Sequence, residues 1–206
     1  MQSSTNHKLP FSVFLLLLLF WACANEQSQE TERKDPEVLE EPKPLLVSFP
    51  ESYIADHFDF PVGKPDAKGY YNAQGFTVNG HLGDDWNAVT GGNSDLGDPI
   101  YAIGNGYVKF AANFFGGWGN VIRVDHQLPN GQKIESLYAH CDTILVRKGD
   151  WIRRGQQIGT IGNVGGLYLA HLHLELRDST EMPIGFGYAD QVEGYLDPTR
   201  FIKDHR

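Results

Sequence analysis

Four of the eight histidines of this 206-residue chain fall in three short segments, and their spacing defines the chemistry available. In His171-Leu172-His173 the imidazoles sit at i and i+2. They project from one face of a β-strand, while Leu172 and Leu174 turn into a core. One strand can thus present a metal ligand beside a proton-transfer group. His81 and Asp85, four apart, can add a nitrogen and an oxygen to the same ion, making the three-ligand set with an open fourth position that a catalytic zinc uses. Taken singly, each piece is weak: a His-x-His pair on a strand is more often structural than metal-binding, and His-x3-Asp is weaker still. Tyr138-Ala139-His140 strengthens the joint case by supplying a fourth imidazole. His7, His57, His126 and His205 have no such surroundings.

His81-x-Gly83-x-Asp85, Tyr138-x-His140 and His171-x-His173-x-Glu175, in that order, resemble the signature segments of the lysostaphin/LytM-type zinc metalloendopeptidases, which cut peptide cross-links in bacterial peptidoglycan. Between them, Gly117-Trp118-Gly119-Asn120-Val121 with Val124-Asp125-His126, and Lys148-Gly149-Asp150 with Gly155-Gln156-Gln157-Ile158-Gly159, are similar to the family's connecting strands and turns. The resemblance covers roughly Gly80 to Arg177. It implies His81, Asp85 and His173 as ligands of Zn2+, and His140 and His171 as catalytic histidines beside the metal-bound water. Some members of this family have lost ligands and act only as binding modules that activate another cell-wall hydrolase. The intact set implies an enzyme, with the regulatory module as the alternative. Where the family usually carries a small-residue stretch before its His-x-His, this chain has Leu167-Tyr168-Leu169-Ala170, bulk that would narrow a groove and leaves substrate preference open.

No His-Glu-x-x-His helix is present to supply a glutamate base. Proton transfer and oxyanion stabilisation are therefore assigned jointly to His140 and His171. Glu175 shares the face of His171 and His173, so it either accepts from an imidazole N–H or lies at the surface. Asp84 is expected to face solvent. Trp86, Phe114, Phe115, Trp118 and Tyr168 either line a substrate groove or pack in the core. Cys141 follows His140 directly, yet strand neighbours face opposite sides, so it reads as a small buried hydrophobe and not as a nucleophile.

From Leu45 onwards the pattern is mainly β, a compact antiparallel sheet domain with an open groove and little helix. Pro99 to Ile103 and Tyr107 to Phe110, separated by Gly104-Asn105-Gly106, predict a hairpin. A second is predicted from Asn120 to Asp125 and Lys133 to Tyr138, delivering His140 just past a strand end. Asp197-Pro198 predicts a short C-terminal helix with Asp197 as N-cap and Pro198 at its first position. The segment Val146 to Ile161 resembles half of a biotinyl/lipoyl carrier, but no lysine stands at a hairpin tip, and the metallopeptidase family uses the same hairpin.

At 41% hydrophobic and 21% charged residues the chain suits one core and one domain. A net charge of −9 with no basic run argues against nucleic acid. Residues 1–22 read as a signal peptide whose apolar core, Phe11 to Ala22, is short for a membrane span. Phe20-Trp21-Ala22-Cys23 resembles a bacterial lipobox, making Cys23 the expected lipidation site. The acidic, proline-containing stretch to residue 44 then forms a tether that at full extension reaches roughly 60–70 Å. Residues 45–206 form the metallopeptidase domain, expected to be monomeric, exported and lipid-anchored in the periplasm. With Cys23 acylated, Cys141 is left as a free thiol, since the chain has two cysteines. Cys23→Ser is expected to abolish lipid labelling and shift the protein from the membrane to the soluble fraction. Retention in the membrane after proven signal cleavage would contradict this.

Overall fold

Alternating apolar positions separated by turn residues generate strands, and the computed structural model, which describes residues 47–206, is built almost wholly from them. The expected signal peptide, the expected lipidation site Cys23 and the expected tether lie outside the described residues. In chain order the strands are β1 (Tyr70–Gln74), β2 (Asp84–Ala88), β3 (Pro99–Tyr101), β4 (Gly106–Asn113) and β5 (Asn120–Gln127). They continue with β6 (Lys133–Ile144), β7 (Trp151–Ile152), β8 (Gln157–Ile161), β9 (Leu172–Arg177) and β10 (Tyr195–Leu196). All join one antiparallel sheet whose main path runs β1-β2-β9-β6-β5-β4-β7, with β10 beside β9, and β8 pairing both β3 and β6. The mainly β, antiparallel architecture is as expected. The α-helix found among the described residues is α1 (Pro198–Asp204), where Asp197 accepts from the Arg200 N–H at 2.9 Å and Pro198 opens the first turn. No helix among the described residues is long and apolar enough to cross a membrane.

Strand alternation divides the sheet into two faces. Leu172, Leu174 and Leu176 of β9 are fully buried in the main core with Ile122, Val124, Ile134 and Tyr138. His173, Glu175 and Arg177, one step out of phase, emerge on the other face, where Leu137, Ala139 and Val121 form a small second cluster. Each fully buried Leu contributes roughly 1.5–3 kcal/mol, so the leucines hold the phase that presents the polar set.

The β5–β6 hairpin forms as predicted, but β6 continues past His140 to Ile144, so His140 lies within a strand and not beyond its end. The predicted hairpin around Asn105-Gly106 does not form. β3 pairs with β8, while β4 pairs with β5 and β7. A two-residue type I′ turn needs positive φ at both central residues, and neither Asn105 nor Gly106 has it. The Asn105 side chain instead ties two distant segments, donating to Ile54 O at 3.1 Å and accepting from Arg154 N at 2.9 Å. Gly106 permits close packing, since a Cβ there would lie 2.6 Å from Asp125 O. The carrier-like segment is no separate unit either, because β7 and β8 pair with different strands of the main sheet.

A polar chain crosses the main core. His126 contacts Asn105 O at 2.7 Å through Nδ1 and the Ser136 hydroxyl at 2.8 Å through Nε2. Ser136 lies 3.2 Å from the Tyr138 hydroxyl, which accepts from Ile103 N at 3.0 Å. Burial pushes the His126 imidazole down to about 4. Its folded-state value is therefore below that of the unfolded chain, so stability is complete above about pH 6.5 and is lost as pH falls towards 4. Across that window the loss is about 3 kcal/mol. His126→Gln is expected to flatten the decline of melting temperature between pH 6.5 and 4. Parallel declines in the two proteins would rule His126 out as the cause.

Candidate metal centre

β9 lies between β2 and β6, and its register sets the site. His173 pairs opposite Asp85 on β2 and opposite Ala139 on β6. Asp85 Oδ1 and His173 Nδ1 are 2.9 Å apart. His81 arrives from the turn before β2, held by an isolated bridge to Tyr188. Its Nε2 lies 3.0 Å from His173 Nδ1 and 3.3 Å from Asp85 Oδ1. Gly83 makes the approach possible, since a Cβ there would stand 2.4 Å from Leu174 O.

These three donor atoms form a triangle with sides of 2.9–3.3 Å. Ligands at about 2.0–2.1 Å from one tetrahedral ion are about 3.3 Å apart, so the set fits a small divalent metal. The second nitrogen of His173 supports the same reading. Its Nε2 lies 3.1 Å from the buried Glu175 carboxylate, which fixes the proton on Nε2 and leaves the Nδ1 lone pair for the metal. Burial works against charge on both groups, yet the hydrogen bonds outweigh it: Asp85 is held well below the usual carboxylate range by His173 and His81, and His173 is raised to about 9 by Asp85 and Glu175. A proton and a metal would thus compete for the same lone pair.

His140 reaches this face through a bulge. Tyr138 pairs with Ile122 and Cys141 with Asn120, so β6 carries one residue more than β5 over that stretch. His140 takes a left-handed φ of 60°. The extra residue lets His140 join the face of Ala139 while Cys141 returns to the main core. Gly162 accommodates the bulge, since a Cβ there would lie 2.4 Å from His140 O. The His140 ring centroid is 4.7 Å from that of His171 and 5.7 Å from that of His173. Burial, then the neighbouring His173 and His171, pushes His140 down to about 3, so it is neutral. The His171 Nδ1–H donates to Leu169 O at 2.8 Å, directing Nε2 to a point 3.9 Å from Asp85 Oδ1.

The structure therefore brings together all five site residues predicted around the metal, His81, Asp85, His140, His171 and His173. Glu175 is the imidazole partner. Asp84 does not face solvent: it is buried, accepts from Phe76 N at 3.1 Å and Thr199 Oγ1 at 2.6 Å, and so anchors α1 behind the site. Burial raises the Cys141 thiol to about 12, leaving no nucleophile there. Four of the five suggested aromatics, Phe114, Phe115, Trp118 and Tyr168, line a cleft of about 640 Å³ together with Asp85 and three of the histidines. Trp86 is a core residue, packed 5.2 Å from Phe60. Tyr168 lies over the backbone of Gly117, where a Cβ would meet its hydroxyl at 2.4 Å. Sequence reasoning missed the opposite wall, Gln74 and residues 185–188 with the exposed Phe186, because loops carry no periodicity. It also missed Arg177, whose alternation with Glu175 was the available signal.

The profile of peptidase family M23 matches residues 80–184, the stretch that holds all five residues. Lipoprotein NlpD of Yersinia enterocolitica is 41% identical over 81 residues, 39% of this chain and 78% of that protein. The murein hydrolase activator NlpD of Salmonella dublin is 34% identical over 106 residues, 48% of this chain but 27% of its own length. The peptidoglycan DD-endopeptidase ShyA of Vibrio cholerae is 38% identical over 81 residues, 39% of this chain and 18% of ShyA. The chain thus spans about a quarter or less of the latter two. With half of its length matched by the family profile, the chain belongs to peptidase family M23.

Proposed function

We propose that this protein is a zinc-dependent endopeptidase that hydrolyses peptide cross-links of bacterial peptidoglycan. The observation that carries this reading is the intact triangle of His81, Asp85 and His173 with two further imidazoles beside it in an open cleft. Two imidazoles and one carboxylate with a free fourth position are the ligand set of catalytic zinc. When bound, zinc supplies Lewis acidity and a water acidified to a pKa near 7.

The remaining chemistry belongs to the chain. With its Nδ1–H committed to Leu169 O, His171 offers Nε2 to take a proton from the attacking water and return it to the leaving amine. His140, kept neutral by burial, shares that work and hydrogen-bonds the developing oxyanion. The aromatic walls hold the peptide and limit water around the reacting atoms. Export, lipid attachment at Cys23 and a cell-envelope location complete the reading, supported by the lipoprotein among the similar chains. The similarity to a murein hydrolase activator favours one second reading, a module that regulates another wall hydrolase.

Purified protein is expected to carry about one zinc per chain, and His81→Ala, Asp85→Ala or His173→Ala to lower that occupancy, because each removes a ligand. Full zinc retention in all three would refute the ligand assignment. His140→Ala and His171→Ala are expected to keep zinc but lose turnover by a factor of about 100 to 10,000.

On substrate, incubation with sacculi containing direct D-alanyl-diaminopimelate cross-links is expected to convert dimeric muropeptides to monomers in a chelator-sensitive way, read by mass spectrometry. Cleavage of pentaglycine peptides instead would move the bond assignment. Zinc-loaded protein inert towards both would favour the regulatory reading.

A further inference from the structure

Behind His173, on the same sheet face, lies a set of charges that the proposed chemistry does not use, with Glu135, Glu175 and Arg177 fully buried and Lys109 and Arg123 half-buried. Arg177 is fully buried and donates to Glu175 Oε2 from Nη2 at 2.6 Å and from Nε at 3.1 Å. Glu175 in turn holds the His173 Nε2–H. The same guanidinium donates from Nη1 to Pro183 O at 3.0 Å and from Nη2 to Ile184 O at 2.6 Å. It also reaches Glu135 on the neighbouring strand at 3.3 Å. Glu135 is shared with Arg123, at 2.7 and 2.8 Å, and with Lys109, at 2.9 Å. Arg123 and Lys109 extend the pattern along the chain, donating to Met182 O and Thr180 O. The segment from residue 180 to 184 is therefore held through its backbone carbonyls by three cations. It runs directly into residues 185–188, the cleft wall that the Trp118 indole N–H ties down at Gly185 O, 3.2 Å away.

We propose that Arg177 is a positioning residue that links the metal ligand His173 to the cleft wall, so that metal binding and the order of residues 181–186 reinforce each other. This rests on the metal-site reading given above. Three observations point to linkage and not to mere structural filling. One guanidinium bonds both the carboxylate that sets the His173 tautomer and the carbonyls that carry the wall. Besides His173 itself, Arg177 is the cation that Glu175 pairs with among the described residues, so the aim of the carboxylate at His173 depends on that side chain. Finally, the wall has a second attachment that avoids Arg177 altogether: Leu82 N donates to Gly187 O and Ala189 N to Gly80 O, each at 2.9 Å, which joins residues 187–189 to the His81 segment. The two attachments can therefore be separated by experiment.

Zinc affinity of the full chain, measured by chelator competition, and amide exchange with and without zinc test the proposal on wild type, Glu175→Gln and Arg177→Lys. Glu175→Gln keeps an acceptor oxygen but loses the charge pair. Arg177→Lys keeps the charge but not the four-way fork. Wild type is expected to bind zinc and to exchange more slowly at residues 181–186 and 187–189 when loaded. Glu175→Gln is expected to weaken zinc about 10-fold or more, the range for partners of a ligating histidine. Arg177→Lys is expected to weaken zinc and to lose the zinc dependence of exchange at 181–186 while retaining it at 187–189. Unchanged zinc affinity in both variants, or wild-type exchange at 181–186 that ignores zinc, would overturn the linkage. The wild-type comparison decides the matter even if Arg177→Lys does not fold. Failure of wild type to bind zinc would instead overturn the metal reading beneath it.

Discussion

β9 is clamped between β2 and β6 with His173 opposite Asp85 on one side and Ala139 on the other. Because side chains alternate along a strand, a slip of one residue would send His171, His173 and Glu175 into the leucine core and turn Leu172 and Leu174 to the cleft. Burying those polar groups without partners would be far costlier than the leucine burial that the native register secures. The apolar face of the sheet is thus what specifies the polar one. The triangle of His81, Asp85 and His173, the tautomer of His173 and the wall of the cleft all follow from this one register.

The polar face carries a dense set of charges, three of them fully buried and three half-buried. Lys109, Arg123 and Arg177 stand against Asp125, Glu135 and Glu175, so the six balance. Removing one partner of such a set typically costs about 3–5 kcal/mol, whereas replacing a whole set by well-packed apolar residues is often neutral. Stability alone therefore does not account for it. Its geometry does: the cations reach the 180–184 carbonyls, and one of them reaches the carboxylate behind His173.

Backbone strain also occurs within the same site. A left-handed conformation costs a non-glycine residue roughly 1–2 kcal/mol, and His140 adopts one within β6. The bulge is held by pairing on both flanks and by the close approach of Gly162. It places an imidazole where strand alternation would have put it in the core. The same insertion returns Cys141 to the apolar side, so the adjacent thiol and imidazole never share a site.

By itself the sequence determined the residue types and short spacings of the candidate site, the phase of β9, the β5–β6 hairpin, the cap of α1 and the mainly β character. Each is local: i, i+2 alternation and a capping aspartate need no distant partner to be read. Tertiary structure decided the rest. It made Asn105-Gly106 a packing point and not a turn, because β3 and β4 found other partners. It buried Asp84 against α1, drew Trp86 into the core, and brought Gln74 and residues 185–188 round to close the cleft. It also joined Arg177 to a glutamate 42 residues away in sequence. Such pairings depend on which strands lie side by side, and strand order is set by packing of the whole sheet, not by any short run of residues.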